Sequence, residues 1–162
     1  MSDIVSFQKL FSEREQDKDY IVYNGKKVYR FDTYTLKGKH RLVFTVLSVD
    51  SPYEQAVVLM LGDFKGHIYQ DGKELPFKKT TFSAMTFWIG NGKYLELVVD
   101  LIDGDIGICN GTALEDLPFC EYLIRGSAMA IEQISPNKKR YSCNDLDLDD
   151  DLNDLVFELE ID

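Results

Sequence analysis

Six aspartates and two asparagines fall within residues 144–154, which read Asn144-Asp145-Leu146-Asp147-Leu148-Asp149-Asp150-Asp151-Leu152-Asn153-Asp154. Both side chains are short oxygen donors, and Ca²⁺ takes about six to eight oxygens at roughly 2.3–2.6 Å from a loop able to wrap it. Carboxylates crowded this closely repel one another, and a divalent cation relieves the repulsion. Asp145, Asp147, Asp149, Asp151, Asn153 and Asp154 are therefore the candidate Ca²⁺ ligands. An EF-hand begun at Asp147 fails, because Leu152 stands at the sharp turn where that loop demands Gly. Its closing carboxylate would be Glu158, which lies in a stretch of period two rather than at the start of a helix. The plainer alternative is a solvated acidic turn before an edge strand, with Asn153 or Asp154 bonding local backbone.

The run Asp149-Asp150-Asp151-Leu152-Asn153-Asp154-Leu155-Val156-Phe157 resembles the closing motif of a class of bacterial β-sandwich domains. Those domains end in an aspartate-rich loop, then Asn-Asp, then an apolar strand of the Leu-Val-Phe type. The resemblance implies a β-sandwich with Ca²⁺ held in the loop. It carries over to Asp149, Asp151, Asn153 and Asp154.

Other chemistry is less well marked. The two histidines, His40 and His67, each fall beside or inside an apolar run, and no motif sets either beside a thiol. Cys109, Cys120 and Cys143 lack the paired spacing of a zinc knuckle, and a buried thiol is the ordinary reading of each. Glu96 and Asp100 share one side of a strand, where a pair of carboxylates for glycoside hydrolysis would need a separation that only the fold sets. No Gly-x-Gly-x-x-Gly and no P-loop is present. Tyr34, Trp88 and Tyr94 fall on expected outer faces of strands, where aromatic rings offer sugars a stacking platform.

These groups must be positioned by strands. Asn24-Gly25, Asp71-Gly72, Asn91-Gly92 and Asp103-Gly104 lie between apolar runs, and such pairs accept the positive φ of type I′ hairpin turns. The runs between them follow a period of two. Leu95, Leu97, Val99 and Leu101 share one face, as do Leu155, Phe157, Leu159 and Ile161. The stretch Thr80–Ile89 is apolar on both sides, so it is covered twice or offers an aromatic surface to a partner or a second copy. Only the N-terminus reads as helix: Ile4, Phe7, Leu10 and Phe11 form one stripe, with Ser2 as cap and the charged run 13–19 as its end. The expectation is a single all-β domain over 1–162, a sandwich or jelly roll of about ten to twelve antiparallel strands with one short helix across an end or face. Within it, 1–19 is the helix and its charged lead-in, and 144–154 is the acidic loop.

Twenty-eight acidic against 18 basic residues leave a formal charge of −10, which repels phosphate backbones. The densest basic group, Lys138-Lys139-Arg140, reads as part of a turn, so no nucleic-acid partner is expected. No apolar run approaches the roughly 18 residues of a membrane span, and three cysteines make no disulfide framework. The expected compartment is the cytoplasm, with reduced thiols. The expected function is non-enzymatic: a binding or interaction module, Ca²⁺-stabilised through the acidic loop. Two alternatives stand beside it. One is an immunity-type acidic protein that neutralises a basic protein partner. The other is a jelly-roll domain that binds or hydrolyses glycans.

Overall fold

The computed structural model describes residues 11, 20–51, 54–76, 84–89, 93–112, 128–144 and 152–162. Thirteen strands run through them: β1 Tyr20–Tyr23, β2 Lys26–Tyr29, β3 Asp32–Tyr34, β4 Gly38–Val49, β5 Gln55–Met60, β6 Lys65–Gln70, β7 Lys73–Glu74, β8 Ala84–Ile89, β9 Tyr94–Asp103, β10 Ile106–Thr112, β11 Ala128–Ser135, β12 Lys138–Asn144 and β13 Leu155–Ile161. They build an all-β, sandwich-like fold of two antiparallel sheets. One sheet has nine strands in the order β1-β2-β11-β12-β13-β4-β9-β6-β7, and the other has four, β3-β10-β5-β8.

Alternation decides the faces as expected. Leu95, Leu97, Val99 and Leu101 of β9 join Leu42, Phe44 and Val46 of β4 and Leu155, Phe157 and Leu159 of β13 in one buried cluster. The rings of Phe157 and Tyr141 stack at 4.8 Å within it. Ile106 and Ile108 of β10 and Val57 and Leu59 of β5 supply the opposing layer. The second sheet is buried further than one core requires. Ala56, Val58 and Cys109 lie on its reverse side by register, yet all three are fully buried. Hence the run of consecutive apolar residues in β5 rather than an alternating one.

Two turns match their chemistry: Asn24-Gly25 joins β1 to β2 and Asp71-Gly72 joins β6 to β7, all four residues at positive φ. Asn91-Gly92 lies outside the described residues. Asp103-Gly104 is not a hairpin. β9 pairs with β4 and β6, whereas β10 pairs with β3 and β5, so this turn carries the chain from one sheet to the other. A second crossing lies between Tyr29 and Asp32: β2 belongs to the nine-stranded sheet and β3 to the four-stranded one.

The final strand is not an edge. β13 sits between β12 and β4, its outward Glu158 and Glu160 facing Arg140 and Lys138 of β12. Lys138-Lys139-Arg140 is accordingly strand rather than turn, and the β11–β12 turn is Pro136-Asn137. The expected N-terminal helix lies outside the described residues except for Phe11, which is buried with Val28, Ala128 and Leu152. No helix among the described residues is long and apolar enough to cross a membrane.

Candidate functional site

The acidic segment joins β12 to β13, and both of its roots are fixed in buried structure. Asn144, the last residue of β12, is fully buried, and its main-chain oxygen accepts a 2.6 Å bond from the Asn110 amide. At the other root Leu152 takes a left-handed φ of 48° with its side chain in the small cluster around Phe11. Asp154 is only 6% exposed. Its main-chain N–H donates to Cys143 at 3.1 Å, and its carbonyl accepts from the Asp50 N–H at 3.0 Å. The Asn153 amide donates to the Asp50 carboxylate at 3.2 Å, so a carboxylate distant in sequence joins this end of the sandwich. Gln55 and Thr112, paired in register, lie one pleat beyond Asn110 on the same end and are buried as well. Asp145, Asp147, Asp149 and Asp151 lie outside the described residues. Among the described residues no three His, Cys, Asp or Glu side chains gather as metal ligands would.

The three aromatic positions do not form one platform. Tyr34 points inward rather than outward, from β3 to the nine-stranded sheet. Its hydroxyl donates to that of Tyr141 at 2.5 Å, and Tyr141 donates to Asp32 at 2.5 Å. Lys139 donates to the same Asp32 oxygen at 3.0 Å and lies 4.6 Å from the centre of the Tyr34 ring. Burial raises both phenols far above their ordinary range, so both stay protonated donors at neutral pH. The four side chains pin the short β3 to β12, beside a cleft of about 320 Å³ lined by Leu36, Leu159 and Ile161. Trp88 lies on β8, an edge of the four-stranded sheet, on the side turned away from the core and 39% exposed. Tyr94 is on the outer face of the nine-stranded sheet, 57% exposed.

Tyr94 belongs to a further polar group. Its hydroxyl donates to Glu96 at 2.7 Å, and the other Glu96 oxygen pairs with Arg41. The Arg41 guanidinium, with the Tyr94 bond, holds the Glu96 carboxyl below its usual range. Glu96 is thus an ionised acceptor, unlike the carboxyl with a raised pKa that protonates a glycosidic oxygen. Nearby an open cleft of about 510 Å³ is lined by Lys39, Tyr69, Asp71, Gly72, Glu96 and Val98.

Nucleophile and base chemistry finds little support in the described thiols and imidazoles. Cys109 and Cys143 are buried, which pushes Cys109 up to about 12 and Cys143 well above its ordinary value. Cys120 lies outside the described residues. The His40 ring nitrogens lie 3.0 and 2.9 Å from main-chain oxygens of Asp162 and Lys37, and His67 pairs with Glu74. Asp32, Asp50 and Tyr69 carry no signal in the sequence, since each is a lone polar residue whose partners come from distant strands, and Lys139 stands out there only as part of a basic run. What the fold defines is a two-sheet β-sandwich-like protein with several separate polar features. Comparison with protein-family models, with curated proteins and with solved structures finds no match to this chain.

Proposed function

We propose that this chain is a non-enzymatic binding module that presents its acidic C-terminal segment to a cationic ligand, with Ca²⁺ as the ion. One observation carries the reading: both roots of the segment are anchored, by buried Asn144 and by buried Leu152 and Asp154, with Asp50 drawn alongside. A loop held at both ends loses less conformational entropy on closing around an ion than a free tail would. The donors it offers are hard oxygens, which suit Ca²⁺ rather than a thiolate-seeking metal. Thermal unfolding in EDTA and in millimolar Ca²⁺ tests this. At a hundredfold excess over Kd a ligand of the folded state adds about 2.7 kcal/mol, roughly 5–10 °C for a domain of this size. An unchanged Tm overturns the calcium reading, and Asp149→Asn with Asp151→Asn should abolish any shift.

A second reading, an acidic protein that neutralises a basic protein partner, is favoured by a different observation. The strongest basic group is already paired: Lys138 with Glu160, Lys139 with Asp32, and Arg140 with Glu158. The −10 charge is therefore not offset by a free patch at that group. Association steered by such a charge weakens steeply with salt. Co-purification of a basic partner that survives 1 M salt unchanged would count against it, on the Debye length of about 3 Å there.

A further inference from the structure

We infer that two copies of this chain pair through β8, edge to edge and antiparallel, joining their four-stranded sheets into one. The pairing does not depend on Ca²⁺ or on the acidic segment. A strand edge is a template for another strand, and proteins blunt such edges with shortness, charge or bulges. Three of the four sheet edges are blunted in this way. β7 has two residues, both charged, and β3 has three, with Asp32 among them. β1 has four, with Lys26 and Lys27 paired to it on β2. β8 differs on each count. Its six residues, Ala84 to Ile89, include no charge, Pro or Gly, and they pair with β5 without a register shift. No described strand lies on its other side.

Burial marks where the cover of this sheet stops. On the reverse face Cys109 of β10 and Ala56 and Val58 of β5 are fully buried, whereas Thr86 of β8 is half-buried and Trp88 is 39% exposed. The apolar layer thus runs out to the edge, where Ala84 is exposed as well. Charge selects the occupant. A chain at −10 repels its copy, so two can meet closely only where carboxylates do not face each other. β8 and its neighbour β5 are both uncharged, with Glu54 before β5 and Asp63 after it. A basic peptide laid along β8 would find no carboxylate on it to pair with. Shape selects the register. A two-fold axis normal to the sheet keeps each residue on its own face, so opposed residues are both even or both odd in number. With Thr86 on the axis, Trp88 lies opposite Ala84 on the reverse face, large against small, and Phe87 lies opposite Met85 on the inner face. Cross-strand pairs of this kind, a ring against a thioether among them, are favourable.

Sedimentation velocity of the whole chain across about 1–300 µM, the range in which a small interface associates, tests the pairing. A monomer–dimer equilibrium is expected. Thr86→Lys sets two ammonium groups opposite each other on the axis and should weaken the dimer tenfold or more. Thr86→Cys, made in a Cys120→Ser background, should give a disulfide-linked dimer with copper phenanthroline as oxidant. Val22→Cys in the same background, on the β1 edge and 66% exposed, should stay unlinked. Circular dichroism of each variant reports its fold, and the two cysteine variants carry the test if Thr86→Lys does not fold. A monomer at every concentration, open-ended aggregates, or a folded Thr86→Lys chain that dimerises as before each overturn the proposal. So does a dimer that Thr86→Cys leaves unlinked, or one that Val22→Cys links as readily.

Discussion

Asp32 ties the four-stranded sheet to the nine-stranded one through side-chain hydrogen bonds. Its carboxylate accepts from Tyr141 and Lys139, and Tyr34 completes the chain of donors. The side chains of Asp32 and Lys139 are 15% and 26% exposed, so water competes weakly for them. Removing one partner of such a group leaves the other desolvated. Asp32→Ala should therefore cost about 2–3 kcal/mol and Tyr141→Phe about 1–2 kcal/mol, read from urea unfolding. A Tyr141→Phe variant as stable as the parent would show that the network contributes nothing net. The network is not legible in the sequence, since Asp32 and Tyr141 are unremarkable polar positions and Lys139 stands out only within a basic run that reads as a turn. Tyr34 was noticed for its ring, but β3 turns that ring inward, into hydrogen bonding rather than sugar stacking.

At the level of strands, the turns carry most of the information, and they divide by what surrounds them. Gly25 has nothing within 4 Å of where a Cβ would stand, whereas a Cβ on Gly104 would meet the Asp63 carbonyl oxygen at 1.6 Å. Both have positive φ, 76° and 86°. Gly25→Ala should thus cost only the left-handed penalty of about 1–2 kcal/mol. Gly104→Ala must in addition move the backbone where the chain changes sheets, and should cost about 3 kcal/mol or more, read from the same unfolding curves. Equal losses at the two sites would contradict the close approach. Asp-Gly as a turn was readable from residue types; that one such turn makes a hairpin and another a crossing was not. The difference lies in which strands the flanking runs find as neighbours, and these are far away in the chain.

For the whole molecule, buried acids make stability depend on pH at the alkaline side. Burial raises the pKa of Tyr34, Tyr141, Cys109 and Cys143 above ordinary values of 10.0 for tyrosine and 9.0 for cysteine. The folded chain then holds protons that the unfolded chain releases, so their contribution is intact below about pH 9 and is lost as pH rises beyond it. Glu96 works in the opposite sense: its lowered pKa adds stability above the usual carboxyl range that is lost as the solution is acidified. Unfolding free energy measured across pH should fall above about pH 9, and less steeply in Tyr141→Phe; a flat profile to pH 11 would contradict the burial of these groups. The sequence by itself determined the all-β class, the inner faces of β9 and β13 and two hairpin turns, because alternation and turn chemistry are local. Only the tertiary structure decided that β13 lies inside its sheet, that Asp50 joins the root of the acidic segment, and that Tyr69, Glu96 and Lys39 share one cleft. Those depend on strand order, which is set by the summed burial of distant runs against one another rather than by any residue's neighbours in the chain.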